Sequence, residues 1–300
     1  MMENVLPLNT WIEQAKQLSQ QGHLPQYIPK LADVNPESFA LYLRWQNHPL
    51  QTWGDQTQTF PLMSLIKPFL LLYLLVEQGE NTVFKMVGME PSEYPYNSLR
   101  QLQLDQGKPR NPMINSGAIA LADQLPGETA IARCQSLRNW LNKWGNCQLT
   151  LDQTVQASVA ALPNPNNHAI AQALQASGII QNTKIALETY NLICCLSSDI
   201  INLAQLGMIL VQPPQVTWND PCQRVKALMM TCGLYQASAQ FAVNVGLPTK
   251  SAVSGAMLSI VPRQGVIACY SPPLNSQGNS IGGLFLIEKI AQSQGLSLFA

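Results

Sequence analysis

The sequence carries little charge. Of its 300 residues only 11% are Asp, Glu, Lys or Arg, and 17 basic residues balance 17 acidic ones, whereas globular proteins carry about 25% charged residues. Nucleic acids and anionic membranes are bound through clusters of Lys and Arg. We therefore expect no nucleic-acid partner and no membrane partner. The same weakly charged surface favours self-association, because few like charges keep copies apart.

Long apolar runs are also missing. The longest, residues 69–76, is far shorter than the ~18 residues that indicate a membrane-spanning helix. The first 21 residues follow an amphipathic helical pattern that includes the acidic Glu3 and Glu13, without the basic and apolar regions of a secretory leader. We expect a cytoplasmic protein.

No Cys-x-x-Cys pair occurs among the seven cysteines. Cys194 and Cys195 are adjacent within an apolar run, and the three histidines, His23, His48 and His168, are widely spaced. Neither pattern has the ligand spacing of a zinc site or of a redox motif. The sequence predicts structural thiols, with no metal and no cofactor.

A Ser-x-x-Lys motif, Ser64 and Lys67, precedes the apolar run at residues 69–76. This spacing puts both side chains on one helical face, where a neutral lysine can take the serine proton and create a nucleophile. The lysine pKa, ordinarily ~10.4, would have to fall by roughly 3, which burial can achieve. Pro68 fits only the first turn of a helix, so it places Ser64 at the helix start. The motif predicts acyl transfer from an amide, although most chains of this length contain the spacing by chance.

Strand patterns occupy both ends of the chain. They cover residues 39–45 and 50–53, joined by a turn around 47–49, and residues 253–262 and 265–270, followed by a closing helix at 281–294. Helical patterns lie between them, at residues 114–125, 128–144, 169–176, 185–196, 199–211 and 222–230. One sheet built from both chain ends, with helices inserted, predicts an α+β fold with its site at the junction of sheet and helices.

Six sequence blocks carry a resemblance to a known family. Besides the Ser64–Lys67 pair, they are residues 26–32 (QYIPKLA), 106–119 (QGKPRNPMINSGAI), 232–235 (CGLY), 245–251 (VGLPTKS), and 271–274 with 278–280 (SPPL, GNS). In order and spacing they resemble the serine-dependent glutaminases over roughly residues 10–295. The resemblance implies the β-lactamase/transpeptidase-like fold of serine β-lactamases and penicillin-binding proteins.

The same resemblance implies an activity and an organisation. The activity is hydrolysis of L-glutamine to L-glutamate and ammonia, without a metal or cofactor, by a homodimer or homotetramer. Residues 1–300 would form a single catalytic unit. Its α/β part would comprise about residues 1–65 and 235–300, and its helical part about residues 66–234.

Matched residue by residue, the resemblance implies four catalytic side chains. They are the nucleophile Ser64, its base Lys67, and the tyrosines Tyr27 and Tyr235, whose hydroxyls can relay a proton or orient the substrate.

Substrate-binding positions are implied in the same way. They are Ser64, Asn115, Asn167, Tyr190, Tyr235 and Val253. The backbone N–H of Val253 would complete an oxyanion hole with that of Ser64. Neutral amides such as Asn115 and Asn167 suit a carboxylate and a carboxamide.

The chain departs from the family pattern at three positions. The family has glutamine where this chain has Met63 and glycine where it has Ala252. It also has a glutamate, seven residues before the position of Asn167, that helps to hold the substrate's α-ammonium. That position is Ala160 here, or Val159 if the alignment shifts by one, and no Asp or Glu occurs from 153 to 187. An unpaired ammonium in a desolvated pocket is unfavourable.

Two alternatives to a glutaminase therefore stay open: an amidase for another amide-bearing acid, and a catalytically idle relative. A β-lactamase or transpeptidase is disfavoured, because Ser198-Asp199-Ile200 lacks the final Asn of the Ser-Asp-Asn pattern.

Overall fold

Segments from both ends of the chain meet in one antiparallel sheet of five strands, in the order β2-β1-β8-β7-β6. A computed structural model describes residues 7–46, 49–162 and 164–300. Within them the strands are β1 (Ala40–Trp45), β2 (Gln51–Gly54), β3 (Phe60–Pro61), β4 (Thr150–Leu151), β5 (Leu196–Ser198), β6 (Thr249–Ser251), β7 (Ala256–Val261) and β8 (Gly265–Tyr270).

Helices fill most of the chain between β3 and β6. The α-helices are α1 (Leu8–Ser19), α2 (Pro29–Ala32), α3 (Ile66–Gln78), α4 (Glu80–Met86), α5 (Leu99–Leu104), α6 (Asn115–Ala122), α7 (Ala130–Gly145), α8 (Gln153–Ala161), α9 (Pro165–Ala176), α10 (Thr183–Cys194), α11 (Ile200–Val211), α12 (Asn219–Cys232), α13 (Ser238–Asn244) and α14 (Ile281–Gln294). None of these described helices combines the length and the apolar character needed to cross a bilayer.

Alternation along β1 gives the sheet two buried faces. Leu41 and Leu43 pair with residues of β8 and point into the cluster that also contains buried residues of α1 and α14. Ala40 and Tyr42 point to the opposite face, into the larger cluster that includes α11. Successive strand residues face opposite sides. The sheet is therefore covered by α1 and α14 on one side and by α11 on the other.

Gly207 lets α11 approach the sheet closely. A Cβ atom at this position would lie 2.9 Å from side-chain carbons of both Leu258 and Val266. Contacts this short essentially do not occur between real side chains, so a larger residue would force either these side chains or α11 to shift. This close approach fixes the distance between the sheet and the helical region around the site.

Helix α3 runs through the centre of the helical region. Every residue from 66 to 75 is buried, and the helix is apolar on all sides, as expected for a core helix. Pro68 occupies its third position, where a missing N–H leaves no hydrogen bond unmade. The prediction that a helix begins just after Ser64 is confirmed.

Most predicted elements are confirmed. β1 and β2 form the hairpin predicted at residues 39–53; of its turn, residues 47 and 48 lie outside the described part of the chain. β8 and α14 have the predicted bounds. The division into an α/β part and a helical part stays a prediction.

Two predictions of local structure are wrong. Residues 253–255 form a turn, and β7 begins only at Ala256. The helix predicted to reach residue 196 ends at Cys194, and Leu196–Ser198 pairs with β3 and β4 in a small second sheet. Strands of two or three residues are too short to show alternation, so the sequence pattern did not reveal them.

Candidate active site

Ser64 lies in a single 3-10 turn, Met63–Leu65, between β3 and α3. Met63 has a φ of 46°, a left-handed conformation that costs a bulky residue roughly 1–2 kcal/mol. Residues held in such conformations cluster at functional sites. The turn places Ser64 in the wall of a pocket of about 520 Å³. Its backbone N–H donates to none of the described residues.

Lys67 lies behind this wall as the second residue of α3, and none of its surface is exposed. Its Nζ donates to Asn115 Oδ1 at 2.7 Å and to the backbone oxygen of Met113 at 3.2 Å. Burial lowers the pKa of the Lys67 amine to about 8, while the nearby Cys194 thiol opposes the shift. A large fraction of the amine is thus neutral near pH 8.

Asn115, the first residue of α6, connects the lysine to the pocket. Its Oδ1 accepts from Lys67 and from Tyr190 Oη at 3.0 Å, and its Nδ2 donates to Asn167 Oδ1 at 2.8 Å. These partners fix the orientation of the Asn115 amide, because only its oxygen can accept. The sequence-predicted residues Asn115, Asn167 and Tyr190 therefore form one network, and all three line the pocket.

Asn167 owes its position to the start of α9. Asn164 caps this helix by accepting from the Asn167 N–H at 3.2 Å, and Pro165 takes the first helical position. The polar segment before Asn167 is thus a helix start. Pro163, within that segment, lies outside the described residues.

Tyr27 and Tyr235 approach the site from distant parts of the chain. Tyr27 lines the pocket and is 48% exposed. Tyr235 lies behind it, with a left-handed φ of 57° and a buried hydroxyl that makes no well-formed hydrogen bond to a described residue. Burial and the neighbouring Tyr96 phenol raise the pKa of Tyr235, and the hydroxyls of Ser64 and Ser251 oppose the rise. Tyr235 is therefore a protonated phenol close to Ser64.

Val253 lines the pocket from the turn between β6 and β7. Its backbone N–H, like that of Ser64, donates to none of the described residues. Of the eight residues predicted from the sequence, six line the pocket, and the remaining two, Lys67 and Tyr235, lie directly behind its wall.

The two candidate positions at the end of α8 differ in whether they line the pocket. Val159 lines the pocket, whereas Ala160 is exposed and does not. The alternative alignment, shifted by one residue, selects the residue that lines the pocket. No Asp or Glu is present among the described lining residues, so this wall offers no carboxylate to an ammonium group.

Sequence reasoning missed three residues around the site. Tyr96 and Cys194 line the pocket. Lys250 is fully buried with its Nζ 4.6 Å from the centre of the Tyr235 ring, and burial together with the charge of Lys67 lowers its pKa well below the usual value. Lys250 lies inside the block 245–251 that resembles the family, and this was the sequence signal that could have identified it. Tyr96 and Cys194 carried no distinguishing pattern.

Comparisons with known proteins agree over nearly the whole chain. A family model described as Glutaminase matches residues 22–299. A glutaminase from Synechocystis sp. is 46% identical over 285 residues, covering 94% of this chain and 87% of the relative.

Two solved structures extend the comparison to the fold. A probable glutaminase from Bacillus subtilis complexed with 6-diazo-5-oxo-L-norleucine has a TM-score of 0.88 at 28% identity, covering 100% of this chain and 98% of that chain. The covalent complex between the Bacillus subtilis glutaminase YbgJ and 5-oxo-L-norleucine, formed by reaction with 6-diazo-5-oxo-L-norleucine, has a TM-score of 0.87 at 28% identity, covering 97% and 98%. The predicted α+β fold of the β-lactamase type is confirmed.

Proposed function

Since the chain belongs to the glutaminase family, it is an enzyme that hydrolyses glutamine, and we propose that Ser64 and Lys67 are its acylating pair. The observation that carries this proposal is the fully buried amine of Lys67, with its pKa near 8, behind the pocket wall that holds Ser64. A neutral amine at this position is a base, and the Ser-x-x-Lys spacing makes Ser64 its neighbour on a helical surface.

In the proposed reaction, neutral Lys67 takes the proton of Ser64 Oγ while the oxygen attacks the carboxamide carbon. The developing oxyanion accepts from the free N–H groups of Ser64 and Val253, and each such donor contributes roughly 3–4 kcal/mol to the transition state. The C–N bond then breaks, and ammonia leaves with a proton returned from Lys67 through the Tyr235 phenol. Water cleaves the acyl ester to give glutamate and restores Ser64.

Two observations support the placing of substrate in this pocket. Asn115, Asn167 and Tyr190 present neutral donors and acceptors that suit a carboxylate and a carboxamide. A Bacillus subtilis relative with the same fold reacts covalently with a diazo ketone. The acyl-enzyme proposal predicts the same adduct on Ser64.

Covalent labelling of Ser64 tests the proposal. 6-Diazo-5-oxo-L-norleucine should add one equivalent to the parent protein, observed by intact mass, and peptide mapping should place it on Ser64. Ser64→Ala should abolish both labelling and ammonia release while keeping the circular dichroism of the parent. Ser254→Ala, which removes a buried hydroxyl that has no hydrogen-bond partner among the described residues, serves as the control and should label normally. A folded Ser64→Ala protein that still releases ammonia would refute the mechanism.

A second candidate substrate class is favoured by Val159. Because no carboxylate lines the described pocket wall, an amide acid without an α-ammonium loses less on binding than glutamine does. We propose that such acids are accepted as additional substrates. The remaining alternative, a catalytically idle relative, does not agree with membership of an enzyme family.

We also propose that the protein forms an oligomer and that it is cytoplasmic. The low charge content supports self-association, and the family resemblance favours a homodimer or homotetramer. Light scattering at several protein concentrations would measure the oligomer size. All seven cysteines are buried free thiols, which supports the reducing cytoplasm. Fractionation of cells producing the untagged protein would test the location.

A further inference from the structure

Tyr96, which the proposed mechanism does not use, contacts three residues of the site through three different groups. Its hydroxyl lies 3.3 Å from Tyr27 Oη, its ring centre lies 4.6 Å from that of Tyr235 at an interplanar angle of 34°, and its backbone oxygen accepts from the Asn115 N–H at 2.8 Å. These partners come from three distant segments of the sequence. Tyr96 is the point where they meet.

We infer that Tyr96 is a positioning residue that holds Tyr27 over the pocket through its hydroxyl and Tyr235 beside Ser64 through its ring. The inference rests on the proposed function, because it assigns Tyr96 a role in glutamine hydrolysis at the same site.

The Tyr96 hydroxyl is needed to position Tyr27, because Tyr27 is half exposed. Tyr27 lies just before the short helix α2 and is 48% exposed, so packing holds only part of its side chain. A hydrogen bond from or to Tyr96 restricts the direction of the Tyr27 hydroxyl before substrate arrives. Such preorganisation improves binding by lowering the entropy lost when the ligand is bound.

The Tyr96 ring has a different role, which is to hold Tyr235. The backbone of Tyr235 is held, since its carbonyl oxygen accepts from Ser238 Oγ at 2.8 Å, but its buried hydroxyl makes no well-formed hydrogen bond to a described residue, so its polar end does not secure the side chain. Its aromatic face is in contact with Tyr96 on one side and has the amine of Lys250 4.6 Å from its ring centre. Aromatic contacts of this kind are worth more than the area they bury. Removal of the Tyr96 ring would free the phenol next to Ser64.

The two tasks can be separated by two substitutions. Tyr96→Phe removes the hydroxyl and keeps the ring, so we expect KM for glutamine to rise about two- to tenfold, the range of one ordinary hydrogen bond, with kcat within about twofold of the parent. Tyr96→Leu removes both groups, so kcat should fall as well. Recovery of kcat in Tyr96→Phe relative to Tyr96→Leu would identify the ring as the part that acts on Tyr235.

A double-mutant cycle tests whether the hydroxyl acts through Tyr27. Tyr27→Phe, Tyr96→Phe and the double variant should show non-additive effects on KM, with the double variant no worse than the more damaging single one. Tyr94→Phe is the matched control: Tyr94 is also half buried, stands two residues away, and lines only a smaller neighbouring cavity. It should leave KM and kcat unchanged.

Several outcomes would overturn the inference: an unchanged KM in Tyr96→Phe, effects of the two Phe substitutions that multiply, or an equal loss in Tyr94→Phe. The Phe variants keep the test decisive even if Tyr96→Leu does not fold. Failure of the proposed function is recognised separately, since it would appear as activity retained in Ser64→Ala, whatever the Tyr96 variants do.

Discussion

Lys67 Nζ donates its shortest hydrogen bond to Asn115 Oδ1, at 2.7 Å, and not to the serine three residues before it. A side-chain amide accepts from the amine without adding a negative charge. The site therefore holds a buried lysine in place while leaving its pKa low, which a carboxylate in the same position would not do.

The pH dependence of the parent enzyme follows from this arrangement. Only neutral Lys67 can accept the serine proton, and burial lowers its pKa to about 8. We expect kcat/KM to rise about tenfold per pH unit below the apparent pKa and to level off above it. Ammonia release measured between about pH 5.5 and 9.5 will show this limb. A profile that is flat across the same range would contradict a lysine base.

Asn115→Asp should shift the rise of activity with pH to higher pH. A carboxylate beside Nζ favours the ammonium form and raises the lysine pKa, by about 1–3 pH units. The rising limb of kcat should shift upward by a similar amount, and the activity near neutral pH should fall accordingly. Asn115→Ser, which adds no charge, is the control for the loss of the amide itself. A limb in the same place in both variants would mean that another group titrates.

Tyr235→Phe should separate activity from stability. Its buried hydroxyl makes no well-formed hydrogen bond to a described residue, so its removal leaves none of them without a partner, and the free energy of unfolding should change little. If the phenol relays a proton, kcat should fall about 10²-fold or more. Tyr73→Phe, a buried tyrosine that packs against Trp140, is the control. Full activity in Tyr235→Phe would reduce this residue to a packing role.

Val159→Glu should increase discrimination in favour of glutamine. The new carboxylate would face the pocket and pair with the α-ammonium, which contributes about 1.5 kcal/mol or more for a close desolvated pair, or roughly tenfold in kcat/KM. The desamino analogue of glutamine should gain nothing. Ala160→Glu is the control, because its side chain is exposed outside the pocket. Strong preference for glutamine in the parent, unaffected by either substitution, would show that another group holds the ammonium.

Asp199 has a structural role, although its Ser-Asp sequence resembles part of the Ser-Asp-Asn pattern of β-lactamases. Its carboxylate caps α11 by accepting from the Asn202 N–H at 2.7 Å. Asp199→Ala should lower the free energy of unfolding by about 1 kcal/mol and Tm by about 2–4 °C, while Asp199→Asn should retain most of the cap. Thermal melts and kcat measured together decide the matter. A large loss of kcat with an unchanged Tm would point to a catalytic role instead.

The sequence was sufficient where a pattern extended over many residues. The hairpin β1–β2, the strand β8 and the helix α14 follow from alternation or helical periodicity, and Pro68 alone located the start of α3. Short elements such as β5 carried too few residues for a pattern. The choice between Val159 and Ala160 depends on how α8 is rotated, which is decided by packing and not by local sequence. Tyr96 was missed for the same reason, since its importance lies entirely in what it touches.

The pairing of β1 with β8 also determines when the protein can fold. During synthesis β1 leaves the ribosome long before β8 has been made. Until then the edge of β1 that pairs with β8 has no partner strand. Unpaired strand edges of this kind promote aggregation. The sheet can close only when nearly the whole chain is available. Chains shortened to end before residue 265 should therefore leave the β1 backbone amides that face β8 unprotected in hydrogen exchange. Protection of these amides in such a chain would contradict this expectation.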